Sequence, residues 1–292
     1  MIERCNKLVI LAAGVSSRLR QSISQHPLDA ELAQQSEMRT KGMLSVGDEG
    51  APLLDYQLWN AQRAGITDII IVMNERDEHI RARYGMNDRD NDFHGLAISY
   101  AIQTIPVGRT KPFGTADALH RALLARTDWR NEYFLVCNSD NLYSINSIAA
   151  LRDLDQGGLI GYDIDGLEFD EHRLGNFGIV EWDEHYFLKT IVEKPGSEFI
   201  RERKASGASV HVSMNIWRLQ YDLVLPHLEH CPLHPVRLEK ELPRAIASMI
   251  AEHPQSMKVI PLREHVPDLT FKDDIHEMQQ HLARMFGTLK WN

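Results

Sequence analysis

Three things are scarce in this 292-residue sequence: cysteine, long apolar runs and net positive charge. The only cysteines are Cys5, Cys137 and Cys231, and no two form a CxxC pair. An odd number of widely spaced thiols argues against a disulfide framework and fits a reducing cytosol. No run approaches the ~18 consecutive apolar residues that a membrane span requires. Arg4 and Lys7 flank a single short apolar run, so the N-terminus lacks a charged-then-apolar signal pattern. A cytoplasmic protein without membrane partners is expected. With 32 Lys and Arg against 41 Asp and Glu, the formal charge is −9. That deficit disfavours nucleic-acid binding, which relies on basic surface. Any phosphate site must therefore be a local concentration of cations, backbone N–H groups and metal.

What is present reads as α/β. With 43% hydrophobic and 25% charged residues, the composition is that of an ordinary globular chain. Leu8 to Leu11 is a buried strand running into Ala12-Ala13-Gly14. Leu54, Leu58, Ala61 and Ala64 recur at helical spacing, with Gly65 as a C-cap. Ile69 to Met73 is a second strand, 75–84 a helix, and Leu96 to Ile102 a third strand. A helix through Ala116 to Leu123 and a strand from Tyr133 to Cys137 follow. This alternation predicts a mixed, mostly parallel sheet flanked by helices. Ligands of such sheets sit at the carboxyl ends of strands, where Gly14 and Asp140 both fall.

Strands are expected at 158–164, 178–182, 188–192 and 210–219, and helices at 238–251 and 273–286. The polar stretch 21–40 shows no core pattern and reads as a long functional or mobile loop. Lacking linkers and repeats, the chain is read as one domain, with an α/β core over 1–220 and a C-terminal helical subregion over 221–292.

Five segments carry chemistry. Leu11-Ala12-Ala13-Gly14-Val15-Ser16-Ser17-Arg18, with Lys41 downstream, brings small residues for close backbone approach and a forked cation for a polyphosphate. It matches neither a Walker A loop nor a GxGxxG fingerprint. Gln103 precedes Gly114-Thr115-Ala116, which opens a helix. Asn138-Ser139-Asp140-Asn141 follows a buried strand, and a carboxylate there suits Mg²⁺, which takes one or two carboxylates plus phosphate oxygens. Gly178-Ile179-Val180-Glu181 is followed by Val192-Glu193-Lys194-Pro195. Ser213-Met214-Asn215 and Asp268-Leu269-Thr270 come last.

In that order, these segments resemble the signature elements of the sugar-1-phosphate nucleotidyltransferases. The resemblance implies a Rossmann-like, GT-A-like fold and transfer of a nucleotidyl group from a nucleoside triphosphate to a sugar 1-phosphate, with release of pyrophosphate. It implies nucleotide binding by Leu11, Ala12, Ala13, Gly14, Gln103, Gly114 and Thr115. It assigns Arg18, Lys41 and Lys194 to catalysis, and Gly178, Glu193, Lys194 and Asn215 to the sugar phosphate. Mg²⁺ would be held by Asp140 and Asp268, with Asp273 and Asp274 as rivals for the second position. Family frequency alone favours UTP or dTTP with glucose 1-phosphate. Oligomerisation is left open.

The sequence departs from the pattern in four places. Gln103 and Gly114 are further apart than in many relatives. Gly42 stands where Pro follows the lysine, Asn215 where Gly is usual, and Thr270 in a segment lacking Gly-Thr-Pro. Gly42 is expected to loosen the lysine loop. Two alternatives stay in view: a cytidylyltransferase acting on phosphocholine, and a non-catalytic relative that binds nucleotide sugars. A histidine-rich stretch (His227, His230, Cys231, His234) matches no standard zinc spacing and is set aside.

Overall fold

A computed structural model describes residues 4–75 and 77–291. Its strands are β1 (Lys7–Leu11), β2 (Asp68–Asn74), β3 (Asn91–Phe93), β4 (Leu96–Gln103), β5 (Tyr133–Asn138) and β6 (Gly157–Asp163). After them come β7 (Gly178–Trp182), β8 (Leu188–Val192), β9 (His211–Ser213), β10 (Ile216–Gln220) and β11 (Met257–Leu262). All join one sheet in the order β3-β4-β2-β1-β5-β10-β6-β9-β7-β8, with β11 on β6. Strands β4, β2, β1 and β5 run parallel, so the chain leaves each of them at the same edge. That parallel block is the mostly parallel sheet expected from the alternation.

Alternation in each central strand feeds two cores. Leu8 and Ile10 of β1 join Ile69 and Ile71 of β2 on one face. Val9 and Leu11 join Ile70 and Val72 on the other. Each such side chain contributes about 1.5–3 kcal/mol by leaving water, which fixes the strand register because a one-residue slip would invert both faces.

Three expectations need correction. The stretch 21–40 is not one long loop: Ala30–Met38 is a helix, N-capped by Asp29, whose carboxylate accepts the Leu32 N–H at 2.7 Å. Only Leu32, Gln35 and Ser36 are buried on it, too narrow a stripe to show as a core pattern. Leu32 enters a third cluster with Leu19, Leu44, Leu269, Ile275 and Met278, outside the sheet. The strand expected at 210–219 is two, β9 and β10, broken where Asn215 adopts a φ of 59°. The region 221–292 is not purely helical, because β11 pairs in parallel with β6 along its whole length.

His265 shows how burial couples this fold to pH. Its Nδ1 accepts the Glu168 N–H at 3.1 Å, and its ring packs against Phe169 and His281. Desolvation lowers its pKa from 6.5 to about 4. Between those values the unfolded chain binds a proton that the folded chain refuses, so stability falls as pH drops from about 6.5 to about 4. Replacing His265 with Gln, which keeps an acceptor, is expected to flatten that slope in denaturant titrations across the window. An unchanged slope would contradict the assignment.

Candidate active site

Strands β1 and β5 are parallel neighbours, and the loops after them stay in contact: the Ser139 N–H donates to Leu11 O at 3.1 Å. The first loop, 12–16, leaves the sheet once the Ala12 N–H has bonded Val72 O. A Cβ on Gly14 would meet nothing within 4 Å, so the backbone there lies open. Both loops line a cavity of about 840 Å³, within the range of small-molecule sites. All the residues assigned from sequence line it, from Leu11 to Arg18, Lys41, Gln103, Gly114 and Thr115 through Asp140, Gly178, Glu193, Lys194, Asn215 and Asp268.

At the acidic end, Asp140 Oδ2 accepts from Lys41 Nζ at 2.9 Å. Lys41 sits in a buried turn of 3₁₀ helix, Lys41–Met43. Packing gives Gly42 a second reason: a Cβ there would lie 3.0 Å from Ser139 O. Gly42 lets the lysine turn close onto the Asp140 loop. From behind, the amide of Gln57 donates to Asn138 O at 2.9 Å and also to Asn141 O. Asn60, three residues on, donates to Tyr143 O at 2.8 Å. Sequence reading missed both residues, whose signal is an amide pair on the buried face of the helix Leu53–Arg63.

Asp268 is tied to this loop by an isolated bridge with Asn141, and the Asn141 side chain donates to its Oδ1 at 3.1 Å. Burial, then the nearby Asp140 charge, pushes the Asp268 carboxyl above its usual range. Its rivals have other partners. Asp273 accepts from Ser24 Oγ at 2.8 Å and Gln25 N–H at 2.7 Å. Asp274 accepts the Thr270 and Phe271 N–H groups at 2.6 Å each.

Arg173, absent from the sequence reading, completes the cluster. Its Nη2 donates to Asp268 Oδ2 at 2.7 Å, and its guanidinium also pairs with Asp274. The residue is 95 positions from Asp268 and in no recognised motif, so only the fold reveals it.

At the opposite end, Gln103 is 2% exposed. Its Nε2 donates to Gly114 O at 2.9 Å and Asp117 Oδ2 at 2.8 Å. Both partners are acceptors, which fixes the amide orientation and leaves Oε1 as the group able to meet a ligand. Gly114 has a φ of +97°, and a Cβ there would lie 2.7 Å from Lys240 O. Gly114→Ala is therefore expected to cost about 1–3 kcal/mol of stability and to raise the KM for nucleotide. Denaturant titration and initial-rate kinetics check the two effects. Thr115 Oγ1 accepts the Leu242 N–H at 2.9 Å and so caps the helix Leu242–Glu252 from outside.

Gly178 and the turn after β8 line the same cavity. A Cβ on Gly178 would lie 2.9 Å from Glu193 Oε1, so this glycine makes room for the carboxylate. Burial raises the Glu193 pKa, with Glu241 adding to the effect. Lys194 is held at a φ of 49°, a left-handed conformation that non-glycine residues seldom adopt. Among the described residues, neither Lys194 nor Arg18 has a carboxylate partner. In a chain of charge −9, two unpaired cations on one cavity suit an anionic ligand. Asp140 and Asp268 offer hard oxygen donors on one wall, the donor type that fits Mg²⁺.

Known proteins place this cavity in context. The chain is 24% identical over 144 residues to a glucose-1-phosphate adenylyltransferase of Cutibacterium acnes, covering 49% of this chain and 35% of that protein. It is 26% identical over 138 residues to a D-glycero-alpha-D-manno-heptose 1-phosphate guanylyltransferase of Aneurinibacillus thermoaerophilus, 47% of each. A choline-phosphate cytidylyltransferase of Streptococcus pneumoniae is 25% identical over 141 residues, 46% of this chain and 55% of that protein. The match thus spans about half, or less, of these relatives' length. A crystal structure of UDP-glucose pyrophosphorylase complexed with UDP-glucose superposes with a TM-score of 0.69 at 17% identity, over 96% of this chain and 99% of that one, which shows a common fold. The model of the nucleotidyl transferase family matches residues 7–260, and the chain belongs to that family.

Proposed function

We propose that the chain transfers a nucleotidyl group from a nucleoside triphosphate to a sugar 1-phosphate, with UTP or dTTP and glucose 1-phosphate as the favoured pair. The carrying observation is one cavity that joins an acidic pair, Asp140 and Asp268, to Arg18 and Lys194, cations without a carboxylate partner among the described residues. The names of the adenylyl- and guanylyltransferase relatives support a sugar 1-phosphate acceptor.

In this reading the triphosphate lies along residues 12–18, with its base toward Gln103 and Gly114. An oxygen of the sugar phosphate forms a bond to the α-phosphorus while the bond from that phosphorus to the bridging oxygen breaks, and pyrophosphate leaves. The attacking oxygen is already anionic, so no general base is needed. Positioning and charge neutralisation carry such chemistry. Arg18 and Lys41 would offset the charge of the leaving pyrophosphate, and Lys194 would hold the two phosphates together. Glu193 would accept hydroxyl protons of the sugar. Mg²⁺, with Asp140 and Asp268 as its residues, would supply further neutralisation of phosphate charge.

The choline-phosphate cytidylyltransferase relative motivates a second reading. A quaternary ammonium calls for an aromatic cage. The aromatic side chains on this cavity are Phe177 and Phe271, and these pack against Phe169 and Arg173. The sugar reading is therefore preferred.

The fixed Gln103 amide specifies a test of the base. Its Oε1 can accept the N3–H of uracil or thymine while the Gly114 N–H donates to the adjacent carbonyl. Comparing kcat/KM for five nucleoside triphosphates at fixed glucose 1-phosphate should rank UTP and dTTP at least ~10-fold above the rest. Preference for another base would overturn the base assignment, and activity only with another sugar phosphate would overturn the acceptor assignment.

A further inference from the structure

The histidine-rich stretch that spacing left without a role gains one in three dimensions, with different partners. Cys231 is buried, its thiol facing backbone carbonyls of Pro232 and Glu241. His234 Nδ1 accepts two N–H groups of its own turn, and His230 Nδ1 pairs with Pro226 O. His227 points elsewhere, toward the end of the helix Leu242–Glu252. There Glu252 and His253 each bring a ligand-type atom, and the three atoms all lie within 4.8 Å of one another.

We propose that His227, Glu252 and His253 form a Zn²⁺ site that clamps the helix Tyr221–Glu229 to the helix Leu242–Glu252. His227 is 6% exposed, and its Nδ1 lies 3.0 Å from Ser248 Oγ. That bond leaves Nε2 facing Glu252 Oε2 at 4.0 Å. A hydrogen-bond partner on the ring nitrogen that does not face the metal is how metal-ligating histidines are oriented. The His253 ring stands at 87° to that of His227 with centroids 6.1 Å apart.

Two imidazoles and one carboxylate select Zn²⁺ over Mg²⁺, which prefers oxygen alone. Three protein ligands leave a fourth position for water. Metal–ligand bonds of 2.0–2.1 Å put tetrahedral ligand atoms about 3.3 Å apart. Glu252 and His253 are exposed at a helix end, so rotation of their side chains can close the remaining gap.

The site has a structural route to the reaction. The clamped helix starts at Leu242, whose N–H is held by Thr115 Oγ1, and Glu241, Leu242 and Pro243 line the active-site cavity. The metal would pin that helix at the end opposite the nucleotide, roughly 16 Å away at 1.5 Å per residue.

Titration calorimetry of the full chain with Zn²⁺, in excess Mg²⁺, tests this without reference to turnover. One Zn²⁺ per chain is expected, with tetrahedral Co²⁺ absorption when cobalt replaces it. Glu252→Gln and His253→Ala, at exposed positions where folding is unaffected, should each weaken Zn²⁺ binding at least tenfold. Ser248→Ala should weaken it about 10- to 100-fold by freeing the His227 ring. Zn²⁺ binding unchanged in both Glu252→Gln and His253→Ala, or no binding by the native chain, would overturn the proposal.

Discussion

The Asp140→Asn protein is expected to fold as the native chain does and to turn over about 100- to 1,000-fold more slowly. Asn keeps the shape of Asp and an oxygen that can still accept from Lys41 Nζ, the contact made at 2.9 Å in the native chain. The loop itself is held by backbone and Gln57 contacts that the substitution leaves alone: Leu269 N–H on Asp140 O, and Gln57 on Asn138 O. What disappears is one negative charge from the Asp140–Asp268 pair, which would weaken the hold on a divalent cation that is proposed for it. Thermal melting should therefore change little while the rate of pyrophosphate release collapses. A rate within a few-fold of native would remove Asp140 from the metal assignment.

The Arg173→Met protein is expected to lose about 3–5 kcal/mol of stability when divalent cations are absent. Its guanidinium is 14% exposed, and it pairs with two carboxylates that are 9% and 5% exposed. Met fills similar volume but leaves Asp268 and Asp274 without that countercharge. Asp274 retains the Thr270 and Phe271 N–H donors and Asp268 retains the Asn141 amide and the Thr270 hydroxyl, so what both lose is the countercharge. Mg²⁺ bound by Asp140 and Asp268 would supply the missing charge. The gain in melting temperature on adding Mg²⁺ should accordingly be larger in the variant than in the native chain. An unchanged melting temperature in EDTA would show that Arg173 does not balance the acidic pair.

The part of the site that could be read from sequence is the part built by parallel strands. Apolar runs ending at Leu11 and Cys137 identify β1 and β5, and once these are parallel neighbours their loops must meet. Gly14 and Asp140 followed from that logic, while Lys41 came from the resemblance alone. The missing part is held together by contacts with no local signature. Arg173 reaches Asp268 across 95 residues, and Gln57 is one of several polar residues on the helix Leu53–Arg63, with no local mark of its role. Strand β11 escaped notice because only Met257 and Val259 are buried in it and Pro261 interrupts it. The helix Ala30–Met38 carries an Asp N-cap but buries a single leucine. Local pattern reveals an element when its apolar stripe is wide, and these two stripes are narrow.

Pyrophosphate release by the native chain, measured with a nucleoside triphosphate and a sugar 1-phosphate together, with each alone, and again after EDTA, tests the central claim most directly. The account predicts release only when both substrates and a divalent cation are present, in step with the appearance of a nucleotide sugar. Release with the triphosphate alone, or full release in EDTA, would contradict it.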